Sequence, residues 1–219
     1  MELLKEHLRN YRTSLSVFIK WFFMSMIIGI SVGIVSIIFA CGMKFVTAWF
    51  HSFPWLIYLL PLGGILIVAM YKILDDKYKS GTNLILVSIQ SDETVPLIIT
   101  PLIILSTLIT HLFGGSLGRE GAALQIGGSI GDFLSKHLHI KKSDHKIFVM
   151  CGMSAAFSAL FGTPMAAAIF SMEVVSVGIM YYAALVPCVI SSLIAHAIAT
   201  SFGVSPDGFP LGKIPDFTI

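Results

Sequence analysis

Two short stretches of this 219-residue chain combine the residue types that anion chemistry needs: Gly118-Arg119-Glu120-Gly121 and Gly81-Thr82-Asn83. Each opens a short apolar segment, Ala122–Leu134 after the first and Leu84–Ile89 within the second. Read as helices, both begin in a glycine-containing turn. The first turn of a helix leaves backbone N–H groups without partners. Those groups, with the positive end of the helix dipole, favour an anion. The dipole alone contributes about 0.3–1 kcal/mol when exposed and up to ~2 kcal/mol when partly buried. A dehydrated anion therefore needs several such ends and direct N–H contacts. The candidate anion-binding residues are Gly81, Thr82, Asn83, Gly118, Arg119 and Gly121. Glu120 is a candidate of another kind. A carboxylate inside an apolar region costs several kcal/mol to bury and is a functional hypothesis by default. The alternative is a loop ion pair between Arg119 and Glu120 at a membrane surface, which contributes little.

The composition says where such turns must sit. The chain is 56% hydrophobic and 12% charged, with a mean hydropathy of +0.88. A soluble domain is about 45–50% apolar and about 25% charged. So little charge cannot cover a water-facing surface, and so much apolar content excludes a disordered chain. At roughly 20 residues per full span, the length suits about six to eight spanning or half-spanning segments. The net charge of +2 and the absence of aromatic-interleaved basic runs argue against nucleic acid. The histidines are scattered rather than set at ligand spacings, so no metal and no cofactor is expected. Cys41, Cys151 and Cys188 each lie in an apolar stretch, as free thiols do. No cleavable signal pattern is present.

Residues 1–15 are polar and mixed in charge, with Leu3, Leu4, Leu8 and Tyr11 at helical spacing; they read as an amphipathic helix on the membrane surface. Residues 16–202 read as the transmembrane domain and residues 203–219 as a Gly/Pro-rich loop where the chain stops. Within the domain, a charge-free span runs from Trp21 to Met43. A second runs from Phe53 to Tyr71, broken near its start by Pro61, Gly63 and Gly64. A third full span covers Val95 to Phe113. Ile147–Met172 carries no charge but is interrupted by Gly162-Thr163-Pro164, which predicts two helices. Val174–Phe202 is a last apolar segment interrupted by Pro187. Lys5, Arg9, Arg12 and Lys20 precede the first span and Lys44 alone follows it closely, which places the N-terminus in the cytoplasm. Half-length segments break the alternation after that, so the basic loop Lys136–Lys146 is not assigned a side. His111 reads as a packing histidine rather than a proton relay. Gly127, Gly128 and Gly131 read as sites of close helix contact, and Tyr181 and Tyr182 as ordinary span residues.

Gly118-Arg119-Glu120-Gly121 followed by Gln125-Ile126-Gly127-Gly128 resembles the second signature of the CLC chloride channels and proton-coupled anion antiporters. Phe161-Gly162-Thr163-Pro164-Met165-Ala166, with Phe170 and Glu173 after it, resembles that family's broken pair of helices leading to the subunit interface. The order of segments agrees over nearly the whole chain. The resemblance implies an all-α polytopic membrane protein, the first inverted repeat of a CLC-like fold, with broken and half-spanning helices. It implies a cell-membrane location, transport of chloride or fluoride, protons as a second partner, and a homodimer. It also implies that Glu120 is the external gate, occupying the anion path when ionised and leaving it when protonated or displaced.

The departures from the family pattern are specific. The Gly-Ser-Gly-Ile-Pro signature stands here as Gly81-Thr82-Asn83-Leu84-Ile85, with Thr82 matching the anion-coordinating serine. The proline after Gly-Arg-Glu-Gly is Ala122. Both changes resemble the fluoride-transporting branch. Val174 stands where proton-coupled chloride exchangers carry an inner glutamate, which puts the standard proton route in doubt. The second half's Gly-x-Phe-x-Pro half-helix and pore tyrosine are missing. The sequence is thus expected to hold at most half of an anion pathway. Two functions follow: small-anion transport by CLC-like subunits, as a channel or an antiporter, or a split half that transports nothing until a second-half polypeptide joins it. An enzyme is not expected.

Overall fold

The computed structural model describes residues 2–74, 85–87, 95–175 and 180–204, the side chains of residues 2–14 and 74 excepted. Gly81, Thr82 and Asn83 lie outside the described residues, as do residues 205–219. All regular structure among the described residues is helical.

Helix α1 is a single 51-residue helix, Glu2–Ser52. No proline precedes Pro54 and no glycine precedes Gly29, so nothing between the polar start and the first span stops it. At 1.5 Å per residue it is about 76 Å long, well over the ~30 Å hydrocarbon core. Its apolar part is Leu15–Ser52. One stripe of α1 is buried: Ser25, Ile28, Gly29, Val32, Gly33, Ser36, Phe39, Ala40, Met43 and Val46. That spacing follows the 3.6-residue period.

The break expected at Pro61, Gly63 and Gly64 lies earlier. A 3₁₀ turn covers Pro54–Leu59, and α2 runs unbroken over Leu60–Leu74. Pro61 falls in the first turn of α2, where its missing N–H costs nothing. Leu62, Ile65, Leu66 and Val68 of α2 are more than half exposed or nearly so, as a lipid-facing helix requires.

The third span is shorter than its apolar run. Helix α3 is Ile99–Leu112, 14 residues, or about 21 Å, too short to cross the core alone. Pro96 keeps Val95 out of helical geometry. The Val95 N–H instead donates to Asp132 Oδ2 at 3.2 Å. The half-helix expected over Ala122–Leu134 is correspondingly longer: α4 spans Glu120–His137.

The Gly162-Thr163-Pro164 break occurs as expected. Helix α5 (Lys142–Phe161) ends on Gly162 in left-handed geometry, φ +69°, and α6 (Pro164–Glu173) starts on the proline. Pro187 does not interrupt a helix. It lies in the first turn of α7 (Leu185–Ser201), after a 3₁₀ turn at Tyr182–Ala184. Among the described residues, three apolar helical stretches are long enough to cross a membrane: Leu15–Ser52, Pro54–Ile73 and Tyr182–Ser201.

Helix α5 is the centre of the bundle, packed by α1, α4, α6 and α7. Between Ile147 and Leu160 every residue but Phe157 is buried, and small residues let its neighbours close in. A Cβ on Gly127 of α4 would run into the carbonyl of Gly152 on α5, and one on Gly152 into that of Gly127. Gly131 meets Phe148 O in the same way, at 2.5 Å. The two backbones are thus in direct contact, as read from the sequence. Gly128 faces elsewhere: a Cβ there would lie 2.6 Å from Ile85 Cγ2. Fully buried Ile85, in the helical stretch 85–87, therefore packs on α4.

A valine at Gly127 has no room to relax, because the obstacle is backbone. Overpacking costs about 1–3 kcal/mol even when side chains can move. Gly127→Val is therefore expected to lower the thermal midpoint of the purified protein by ten degrees or more, or to prevent its recovery. Gly64→Ala, with nothing within 4 Å of the added Cβ, is expected to leave it within a few degrees. Fluorescence-monitored melts of both variants check this.

Candidate anion site

The site begins where α3 ends. Gly114 takes φ +74°. The Gly115 N–H donates to Thr110 O at 2.8 Å and the Gly114 N–H to His111 O at 3.1 Å. This pair is the Schellman arrangement, which needs a glycine-like residue at the left-handed position. A Cβ there would also strike the Phe50 ring. The chain then runs without helix from Gly115 to Gly118 and re-enters helix at Glu120, with Arg119 as N-cap. Gly114-Gly115-Ser116-Leu117-Gly118 has the spacing of a nucleophile elbow, but an elbow requires a strand before it, and here a helix precedes.

No side chain caps the start of α4. Its first N–H groups therefore point out of the helix with the positive dipole end behind them. The Glu120 side chain is exposed and turns back over the preceding glycine. A Cβ on Gly118 would lie 2.5 Å from Glu120 Oε2. The Arg119 guanidinium sits 5.9 Å from the Phe161 ring centroid, a cation–π distance. Phe161 in turn packs against Phe157 at 4.5 Å, and Phe157 against Phe170 at 5.0 Å. The motif glutamine folds back too, with Gln125 Nε2 donating to Gly121 O at 3.3 Å. Gly118, Arg119, Glu120 and Gly121 thus form one open helix start with a carboxylate laid across its entrance.

A cavity of about 530 Å³ adjoins this start, lined by Lys44, Thr47 and His51 of α1, His111 of α3, Arg119 and Leu160. Of its cationic or titratable groups only Arg119 was picked out as a binding residue from the sequence. Lys44 and His51 gave a findable signal, seven residues apart on one face of α1. His111, read as a packing residue, donates from Nδ1 to Thr107 O at 2.9 Å and is half-buried at the cavity wall.

The opposite end of α4 is anchored by a residue the sequence reading passed over. Asp132 is fully buried. Its carboxylate meets Lys136 Nζ and His145 Nε2, each at 2.5 Å, besides the Val95 N–H. One buried charge so ties α4 to the start of α5 and to the chain entering α3. The Asp132–Lys136 spacing of four on an apolar helix was the available signal. Close by, Lys20 Nζ of α1 lies 3.5 Å from Asp144 Oδ2. The basic loop 136–146 is therefore at the Lys20 end of α1, and Glu120 with Lys44 and His51 at the other.

Comparisons agree with this architecture. A chloride/fluoride channel protein of Pseudomonas syringae pv. tomato is 34% identical over 196 residues, which is 89% of this chain and 43% of the relative. The crystal structure of a CLC-type fluoride/proton antiporter superposes with a TM-score of 0.82 at 32% identity, covering 91% of this chain and 51% of that one. A slow cyanobacterial Cl⁻/H⁺ antiporter matches at TM-score 0.62 and 20% identity, over 81% of this chain and 46% of its own, and shares the fold. The chain spans about half the length of the relatives it matches. The family model for the voltage gated chloride channel matches residues 63–218, and the chain belongs to that family.

Proposed function

We propose that this chain forms the first half of a small-anion pathway in the cell membrane, with Glu120 as its gate. The observation that carries the reading is the uncapped start of α4 with the Glu120 carboxylate turned over Gly118. A carboxylate there competes with an anion for the same N–H groups and leaves when protonated. Gly118, Arg119 and Gly121 supply the backbone around the ion, and Gly81, Thr82 and Asn83 supply further donors. We favour fluoride over chloride as the transported anion, because the relatives at 34% and 32% identity both carry fluoride in their names. Proton coupling is part of the proposal, by a route that does not use Val174. The N-terminus and loop 136–146 are on the cytoplasmic side, and residues 1–15 bind the membrane surface. Two copies associate through α6 and α7.

Several kcal/mol of lost hydration must be replaced around a dehydrated ion, more than one helix start supplies, and the chain spans about half the length of the relatives it matches, so a second-half polypeptide completes the site. The lone 219-residue chain is expected to insert yet give no anion efflux above empty liposomes, followed with fluoride- and chloride-selective electrodes. Co-reconstitution with a second half is expected to restore efflux. Selective efflux from the lone chain would overturn the half-pathway reading.

In the transporting assembly, Glu120→Gln is expected to abolish the pH dependence of flux while leaving flux measurable, since the amide neither titrates nor carries the competing charge. A pH dependence equal to wild type would remove Glu120 from the gate.

Gly118→Ala places a methyl against the Glu120 carboxylate and pushes it off its seat. Flux at neutral pH is expected to rise several-fold. The same substitution in a Glu120→Gln background is expected to change flux less than twofold, because the double-mutant cycle isolates the Gly118–Glu120 contact.

A further inference from the structure

We propose that Cys151 and Cys188 form an oxidisable dithiol, a modification site at which hydrogen peroxide closes a disulfide between α5 and α7. The inference goes beyond the anion-pathway reading and does not rest on it.

Both thiols are free and fully buried, and they meet where the two helices touch. Cys188 Sγ donates to Cys151 Sγ at 3.9 Å, so the sulfurs must approach by roughly 2 Å to bond. The two residues are 37 apart in sequence, and the bond would join separate helices. A third group completes the cluster. Ser25 of α1 is fully buried, and its hydroxyl has no hydrogen-bond partner. It stands beside the Cys151 thiol without closing a bond to it. The other hydroxyl of the cluster, on Ser191, is already spent on the carbonyls of Cys151 and Cys188, each at 3.1 Å. An unpaired buried hydroxyl is costly, and a thiolate on Cys151 is an acceptor that satisfies it. The thiolate is the reactive form of a cysteine. With the Ser25 hydroxyl and the Cys188 thiol both beside it, Cys151 carries the attacking sulfur.

The oxidant has a way in. Helices α1, α5 and α7 run in the same direction: Lys20 of α1 meets Asp144 near the start of α5, and Lys44 of α1 meets the Gly203 carbonyl just past the end of α7. At the Lys20 end a cavity of about 590 Å³ lies between the three helices, with Trp21, Ile147, Ala183 and Pro187 in its wall. Ser25 follows Trp21 by four residues and Cys151 follows Ile147 by four. Each is one turn deeper on the same helix face, about 5.4 Å. Cys188 directly follows Pro187. At about 30 Å³ per water, the cavity admits small neutral molecules, and hydrogen peroxide is neutral and little larger than water. A buried thiol without such an approach is inert.

The chemistry balances. Cys151 Sγ attacks one oxygen of the peroxide and the O–O bond breaks. The other oxygen leaves as water with the Cys151 proton, and Cys151 becomes a sulfenic acid. Cys188 Sγ then attacks Cys151 Sγ and the S–O bond breaks. The hydroxyl leaves as a second water with the Cys188 proton. The two thiols lose two electrons, and one peroxide becomes two waters. The cross-link restricts the unfolded chain, so the oxidised protein is expected to melt several degrees higher.

The test uses the full chain with Cys41→Ser, which removes the exposed thiol. The purified protein is treated with hydrogen peroxide, denatured, alkylated with N-ethylmaleimide and read by mass spectrometry. Both remaining thiols are expected to disappear together, with a 151–188 disulfide peptide that dithiothreitol reverses. Cys188→Ser is expected to stop at a sulfenic acid on Cys151 that dimedone traps, and Cys151→Ser to give no dimedone adduct. Ser25→Ala is expected to slow closure several-fold while the reduced protein melts within a few degrees of its parent. Ser36→Ala removes another buried, unpartnered hydroxyl of α1 and is expected to leave the rate unchanged. Ala183→Trp fills the cavity and is expected to slow closure several-fold. Thiols that stay alkylatable in peroxide sufficient to oxidise free cysteine, a sulfinic acid in place of the disulfide, a link only between molecules, or a rate indifferent to Ser25→Ala would each overturn the proposal.

Discussion

The contact between the backbones of α4 and α5 at Gly127 and Gly152 is the constraint on which the site depends. In lipid, hydrophobic burial does not draw one helix to another; close packing and interhelical hydrogen bonds do. Glycines facing each other bring two helices to the closest approach available, and a helix so seated has little freedom to slide. Helix α5 is itself fixed to α7 by paired hydroxyl–carbonyl bonds: Ser154 to Cys188 O at 3.1 Å, Ser158 to Ser192 O at 2.9 Å, and Ser191 back to Cys151 O at 3.1 Å. Glycines of α1 complete the set, for a Cβ on Gly29 would lie 2.8 Å from Ser191 O. The position of the α4 N-terminus, and of the N–H groups at its mouth, is inherited from this lattice of small residues.

Helix α4 carries two carboxylates twelve residues apart, about 18 Å along its axis, and their surroundings are opposite. Asp132 is buried, with a backbone N–H, an ammonium and an imidazole on its oxygens. A charge so surrounded holds its geometry, and removing Asp132 would leave all three partners without it. Glu120 is exposed, and its carboxylate lies across the uncapped helix start. One end of the helix is therefore clamped while the other presents a group able to move. A gate needs that asymmetry: a fixed set of donors and a carboxylate that comes and goes.

The glycine turn before Glu120, the Gly162-Thr163-Pro164 break and the close-contact role of Gly127 and Gly131 were legible because each rests on a local backbone rule. Helix ends were less so where a distant group decided them. Val95 is apolar and lies in an apolar run, yet it is outside α3: Pro96 holds it out of helical geometry, and its N–H finds its partner in Asp132, 37 residues away. The reverse holds at Pro61 and Pro187, which look like interruptions and are first-turn residues, harmless because the helices start just before them. The polar start of the chain and the first span were separable by composition but not by backbone, since no residue there ends a helix. The grouping of Lys44, His51 and His111 depends on how α1 meets α3, which single-helix periodicity does not encode.

Arg119 joins the open start of α4 to the interior of the bundle: its backbone caps the helix while its side chain reaches the cavity wall and the Phe161 ring. On the proposed path the α4 mouth would act at contact distance, where N–H groups replace water and the cost of dehydration distinguishes one small anion from another.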